Sequence, residues 1–256
     1  MKLIGLVLLS SALLLSAQTP NLSGVWKADL QKSKFGGGPP ITAYTVLIDQ
    51  QGSIIKETSS SVNPRDEYRA SAEYDASGAE TLNFSHGLPM KTKATWAGNT
   101  LEVEGHIAGT RPSTEHRKYT LSADGKSLEI ENSIESNGRT NQQSLVLDKA
   151  PDDAADALRK PEETAAAKFK NVKLLGDLPA SRFLDTMRFF SESLGTNCMH
   201  CHVQGQFDSD EKKEKVFART MISMNREINT GTFHGKQEVR CYTCHRGSLK
   251  PVAFPQ

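Results

Sequence analysis

Between positions 21 and 148 the apolar residues fall in short alternating runs broken by turn-forming residues. Tyr44-Thr45-Val46-Leu47-Ile48 and Ile54-Ile55-Lys56-Glu57-Thr58 flank Asp49-Gln50-Gln51-Gly52, a pattern that predicts a hairpin. Further strand-like pieces lie at 80–84, 92–96, 100–107, 116–121, 128–134 and 143–147, with turns such as Ala97-Gly98-Asn99 and Ala123-Asp124-Gly125 between them. Leu101 and Val103, and across the next turn Tyr119 and Leu121, alternate as one buried face requires. About eight to ten strands at this spacing predict an antiparallel β-barrel or sandwich.

After 148 the pattern changes. Positions 149–170 are polar and alanine-rich, with Pro151-Asp152-Asp153-Ala154-Ala155-Asp156 and Pro161-Glu162-Glu163-Thr164 but no sustained apolar period, and read as a linker. From 171 onward the period is helical. Leu178-Pro179-Ala180-Ser181 opens a helix that Gly195 closes, and Phe183, Met187, Phe190 and Leu194 share one face of it. A second helix starts at Ser209-Asp210-Glu211 and ends at Gly231, with Phe217, Met221, Met224 and Ile228 as its stripe. The fold expected is therefore multidomain α and β: a signal peptide over 1–18, an antiparallel β domain over 21–148, the linker, and a small α-helical domain over 171–256.

The first residues narrow the compartment. Met1-Lys2, an apolar run over 3–15 and then Ser16-Ala17-Gln18 have the layout of a secretory signal cleaved near Ala17. That run is short of the roughly 20 residues a membrane-spanning helix needs. The mature protein is expected in the periplasm with no transmembrane segment, associated with a membrane only through a partner. A net charge of +1, with Lys and Arg dispersed, gives no nucleic-acid or anionic-surface footprint.

The chain has 4 cysteines, and all of them sit in two copies of Cys-x-x-Cys-His: Cys198-Met199-His200-Cys201-His202 and Cys241-Tyr242-Thr243-Cys244-His245. In this pentapeptide the thiols add to the vinyl groups of a haem and the histidine ligates its iron, so the pair predicts two covalently attached haem c groups. Cys198, Cys201, Cys241 and Cys244 would bind the two haems, and His202 and His245 the metal. A zinc site fits less well. The pairs stand about 40 residues apart where zinc ribbons use about 15–20, and zinc requires no histidine after each pair. Thioredoxin-like pairs need a βαβ context that is absent here, and simple disulfides of an exported protein stand as a minor alternative.

Methionine makes the chemistry more specific. Each motif follows an amphipathic helix with methionine on its apolar face, and a Met/His-ligated iron has a raised potential. Met187 precedes the first motif; Met221 and Met224 precede the second, and spacing does not choose between them. A buried methionine is ordinarily core filler, but beside a haem motif on the same repeat a ligand role is favoured.

The segment from Asn171 to Pro251 resembles the tetrahaem cytochrome subunit of purple-bacterial photosynthetic reaction centres. The matching strings are Met187 through Ser193-Leu194-Gly195-Thr196-Asn197-Cys198, Ala218-Arg219-Thr220-Met221-Ile222-Ser223-Met224, Ile228-Asn229 and Cys241-Tyr242-Thr243-Cys244-His245-Arg246-Gly247. The resemblance implies Met187 and Met221 as axial ligands, with Met224 as packing. It departs from the family in carrying one haem pair rather than two, so His234, which stands where the family places a histidine ligand, has no haem to serve. His200 is expected beside a haem edge, and Arg246 is either a propionate partner or an ordinary surface arginine. Ser23-Gly24-Val25-Trp26-Lys27 with Ser33-Lys34-Phe35 is similar to the first strand of lipocalin-like domains, whose interior here is expected to be filled by side chains. His86, His106 and His116 read as surface or turn residues.

The function expected is that of an exported di-haem c-type cytochrome, an electron carrier rather than an enzyme, with redox proteins as donor and acceptor. Alternatives are a peroxidase-like haem enzyme with one open iron, which no distal constellation supports, and a ligand-binding or redox-sensing module built on the β half.

Overall fold

The structure, a computed structural model, describes residues 19–37, 40–64, 66–108 and 112–251; the leader expected over 1–18 lies outside them. Ten strands form one antiparallel sheet: β1 (Gly24–Ala28), β2 (Ala43–Gln51), β3 (Ile54–Asn63), β4 (Asp66–Asp75), β5 (Thr81–Ser85), β6 (Leu88–Ala97), β7 (Thr100–Ile107), β8 (Ser113–Leu121), β9 (Ser127–Ser136) and β10 (Arg139–Ala150). Their order is β4-β3-β2-β1-β10-β9-β8-β7-β6-β5. Val25 of β1 pairs with Leu47 of β2 on one side and Ala150 of β10 on the other. The two outer strands, β4 and β5, meet without a ladder. Instead, Asn83 on β5 accepts from the Glu73 amide at 2.8 Å and donates to the Glu73 carbonyl at 2.9 Å, while Thr81 donates to that carbonyl at 3.0 Å. The sheet is thus a near-closed barrel with a side-chain-bridged seam, and the sandwich alternative falls.

The strands form where alternation puts large apolar groups on the inner face. Trp26, Val46, Ile48, Ile55, Tyr74, Leu101, Tyr119, Leu128 and Leu147 are buried together. Each stabilises the fold by about 1.5–3 kcal/mol relative to exposure. The Trp26 indole N–H donates to the Leu22 carbonyl at 3.0 Å, so its one polar atom is satisfied. The register follows the alternation, Leu101 facing Tyr119 and Val103 facing Arg117. Strand β4 was not expected: Asp66–Asp75 is dominated by polar residues, and only Tyr68, Ala70, Ala72 and Tyr74 carry the alternation.

The interior also holds charge. Arg117 bonds Glu115 at 2.7 Å and contacts Glu57 at 3.4 Å, both glutamates being buried, and the Tyr119 hydroxyl donates to Glu57 at 2.5 Å. Burial, reinforced by Glu57 and opposed by Arg117, pushes the Tyr74 hydroxyl up to about 12.

Past the barrel come a 3-10 turn (Asp152–Ala155), α1 (Asp156–Arg159), α2 (Ala165–Lys168), α3 (Ala180–Leu194), α4 (Cys198–Cys201), α5 (Lys213–Glu227), a π turn (Ile228–Thr232) and α6 (Cys241–His245). The multidomain arrangement with a separate small α-helical di-haem cytochrome domain is not what the chain forms. The dominant unit is the ten-stranded near-closed barrel, and among the described residues only α3 and α5, of 15 residues each, are helices of any length. The physical reason lies in the core. Every member of the buried apolar cluster comes from the barrel, whereas α3 and α5 bury Ala180, Ser181, Asp185, Ser193 and Lys215, small or polar residues that cannot make a core of their own. The segment leans on the barrel instead. Lys168 pairs with Asp66 on β4, Arg69 donates to the Lys160 carbonyl at 3.2 Å, and Tyr68 donates to Asp185 at 3.1 Å.

Candidate functional site

Helix α3 begins after Pro179, and its first turn is tied to the preceding chain: Glu162 accepts from the Ser181 amide and hydroxyl, each at 2.7 Å. It ends where sequence places the end, at Gly195 in the left-handed region (φ 60°). A Cβ on Gly195 would overlap the carbonyl oxygen of Gly247, and the Gly247 amide donates to the Ser193 carbonyl at 2.9 Å. The end of α3 is therefore packed directly on the turn that follows the second Cys-x-x-Cys-His. Between these points α3 turns Phe183, Leu184, Met187, Phe190 and Leu194 into an open cavity of about 1140 Å³.

The first motif forms α4, capped by the Asn197 side chain, which accepts from the Met199 amide at 3.0 Å. Helix α5 starts at Lys213, three residues later than the sequence predicts, because Asp210 is used elsewhere. Its carboxylate bonds Arg219 at 2.9 Å, Lys173 at 2.9 Å and Asn171 at 2.8 Å, and the Arg219 and Lys173 contacts hold it well below the usual carboxylate range. Asn229, 1% exposed, ties the chain before the second motif to the end of α5. Its amide donates to the Val239 carbonyl at 2.7 Å and its oxygen accepts from the Val239 amide at 2.9 Å. Two residues on, Cys241 opens α6.

All eight residues singled out for haem binding line that one cavity: Cys198, Cys201, His202, Cys241, Cys244, His245, Met187 and Met221. Met224 and His200 line it as well, so the geometry does not separate Met221 from Met224. His234 and Arg246 are not among its lining; both are exposed, in left-handed conformations (φ 52° and 49°). The four cysteines are free thiols. Burial raises Cys201, with Glu214 adding to it, and burial raises Cys241. Among the described residues no three His, Cys, Asp or Glu side chains converge into one cluster.

The two histidines are held alike. His202 Nδ1 lies 2.9 Å from the Phe207 carbonyl and His245 Nδ1 lies 2.9 Å from the Ser248 carbonyl. A carbonyl only accepts, so Nδ1 is the donor in each ring, which leaves Nε2 as the nitrogen that would ligate a metal. Burial lowers the His202 pKa, and the Phe207 bond opposes it. Free thiols, two fixed imidazoles with an available nitrogen and thioether-bearing apolar faces around one cavity are the donor set that covalent haem requires.

The sequence model of the photosynthetic reaction centre cytochrome C subunit family matches residues 111–254, more than half of the chain. The chain belongs to that family. The match starts near β8, well upstream of the resemblance read from 171. Membership of the reaction-centre cytochrome family implies covalently bound haem c. Among relatives, the photosynthetic reaction center cytochrome c subunit of Rubrivivax gelatinosus is 38% identical over 97 residues, 34% of this chain and 26% of that protein. The Roseobacter denitrificans subunit is 36% identical, covering 35% and 27%. Cytochrome c-554 of Chloroflexus aurantiacus is 31% identical, covering 30% and 20%. The matched part of the chain spans a quarter or so of each subunit's length. Among solved structures, a secretory abundant heat soluble protein of Ramazzottius varieornatus shares 16% identity at TM-score 0.40, covering 53% of this chain and 100% of that one. A zebrafish ileal bile acid-binding protein complexed with cholic acid shares 14% at TM-score 0.34, covering 50% and 98%. At these scores nothing about ligands is transferred from either. Among the described residues no helix is long and apolar enough to cross a membrane.

Sequence reasoning missed the groups that hold the site rather than line it. Asp210 looked like a helix start, and Tyr68 lay in an unrecognised strand. Asp185 meets Tyr68 only through the fold, and Lys215 donates to the Phe207 and Ser209 carbonyls of the loop before its helix, contacts that no periodicity signals.

Proposed function

We propose that the chain is an exported di-haem c-type cytochrome that passes single electrons between redox protein partners in the periplasm. The observation that carries this reading is the duplicated arrangement around one cavity: two Cys-x-x-Cys-His turns, each with its histidine Nδ1 bonded to a carbonyl 2.9 Å away and Nε2 left free. Cys198 and Cys201 with His202 would hold one haem, Cys241 and Cys244 with His245 the other, and Met187 and Met221 would complete the two iron coordination shells. When bound, each haem supplies a one-electron couple whose potential a methionine ligand raises.

The chain's own groups do the rest. Carbonyl bonds to Nδ1 fix the tautomer and the ring orientation and increase the basicity of Nε2. Phe183, Phe190 and Ile222 line the cavity with apolar surface against which a haem would pack. With His202 and Met187 on one haem and His245 and Met221 on the other, no iron site would be left for substrate, and the chain's part would be to position and tune.

The test is an optical and mass measurement on periplasmically expressed protein. Two haem masses added to the chain, sharp reduced bands and no change with carbon monoxide support the reading. A single haem, a high-spin spectrum or a clear carbon monoxide shift overturns it.

A further inference from the structure

Helix α3 has two working faces. Met187 and Asp185 are two positions apart, about 200° around the helix, so the face opposite the cavity carries Asp185 and, one turn back, Ser181. Both are buried, 6% and 5% exposed. What buries Asp185 is the barrel, at its seam. From β4, the Tyr68 hydroxyl donates to Asp185 Oδ2 at 3.1 Å. From β5, the Phe84 ring lies under the Arg182 guanidinium at 5.7 Å. From the β5–β6 turn, the His86 ring packs on Tyr68 at 5.5 Å, and Gly87 comes so near that a Cβ on it would overlap the Asp185 carbonyl oxygen. His86 and Gly87 are both left-handed (φ 47° and 83°), a conformation a non-glycine residue such as His86 keeps only when its surroundings hold it there. Arg188, which lines the cavity, bonds the other Asp185 oxygen at 2.7 Å. The helix therefore lies across the one junction of the barrel that no ladder closes, with contacts to both sides of it.

We propose that the barrel is the seat of the axial methionine: Tyr68 and the Phe84–Gly87 edge hold α3 across the β4/β5 seam, so that Met187 is presented from a fixed backing. Tyr68 is a positioning residue in this scheme, acting through Asp185 and the helix backbone on a sulfur it does not touch. The inference rests on the di-haem reading, and it gives the barrel a part in that reading.

The test uses the holoprotein and its Tyr68→Phe and Gly87→Ala variants, with Met187→Ala as the spectral marker for the first haem. The reduced proteins are titrated with carbon monoxide, which reports the fraction of iron whose sulfur is off. Tyr68→Phe is expected to raise that fraction about five-fold at the haem marked by Met187→Ala, the factor for losing one hydrogen bond of ordinary net strength. Gly87→Ala raises it further, and the second haem is unchanged in both. Wild-type carbon monoxide uptake in Tyr68→Phe, with circular dichroism and thermal unfolding showing an intact barrel, overturns the proposal, as does an equal rise at both haems. Should Gly87→Ala not fold, Tyr68→Phe decides alone. A wild-type protein without two haems, or a Met187→Ala variant as silent to carbon monoxide as the wild type, fails the di-haem reading itself and is told apart by those controls.

Discussion

Asn229 offers the sharpest test of how the second motif is held. Replacing it by alanine removes the two bonds to Val239, 2.7 and 2.9 Å, and a third to the Asn225 carbonyl at 3.1 Å. The Val239 carbonyl keeps a second donor, Asn225 Nδ2 at 2.9 Å, but its amide is left without a partner. At about 1 kcal/mol for each bond to Val239, plus part of the cost of an unsatisfied amide, the local loss is about 2–3 kcal/mol. The barrel core shares no residue with this clamp, so the loss appears as opening of the chain from the π turn to α6. Amide exchange in peptides spanning 228–245 should speed up roughly 30- to 150-fold, with barrel peptides as the internal reference. Asn225→Ala removes its one bond to Val239, and exchange should rise only about five-fold. Unchanged protection in Asn229→Ala, or an effect of Asn225→Ala as large, would refute the clamp.

Gly195→Ala combines a left-handed backbone cost of about 1–2 kcal/mol with overlap on Gly247; it should lower the thermal midpoint of the helical segment and disturb both motifs together, read as reduced haem attachment at each. Met221→Ala should open one haem to carbon monoxide while Met224→Ala leaves both closed, and the reverse result would move the ligand to Met224. Tyr74 titrates near 10 in the unfolded chain and is pushed up to about 12 by burial in the barrel. A raised folded pKa means stability is intact below pH 10 and lost as pH rises from there towards 12, by up to about 2–3 kcal/mol. Denaturant midpoints measured across that window should fall in the wild type and fall less in Tyr74→Phe.

The strands read well from sequence wherever large apolar residues alternate with polar ones. The predicted 100–107 strand appears as β7 over the same residues, and the Gly195 helix stop appears as a left-handed cap. β4 escaped because its inward positions are two tyrosines and two alanines among charges, too weak a contrast for a period-two signal. Closure of the barrel was not legible, since it depends on β1 pairing with β10 and on Asn83 reaching Glu73. The candidate site was legible as chemistry, because a haem motif is a local string. Its support was not: Tyr68 finds Asp185, and Lys173 finds Asp210, only through the fold. The separate helical domain failed as an expectation for a related reason. Period alone gives two amphipathic helices but not what their apolar faces meet, and here they meet a cavity rather than one another.

The pairing of β1 with β10 sets an order of events on the folding chain. Every other ladder joins strands that are neighbours in sequence, so each can zip as a hairpin at modest loop-closure cost. The β1–β10 ladder, Val25 against Ala150, cannot begin until nearly the whole barrel has been made. Trp26, which pairs with Val46 in the local β1–β2 ladder and with Lys149 across the distant one, reaches full burial only when both are made. Completion of the barrel is therefore a late, long-range step of the kind that slows all-β folding, and slow burial of Trp26 fluorescence is the signal by which it would be timed.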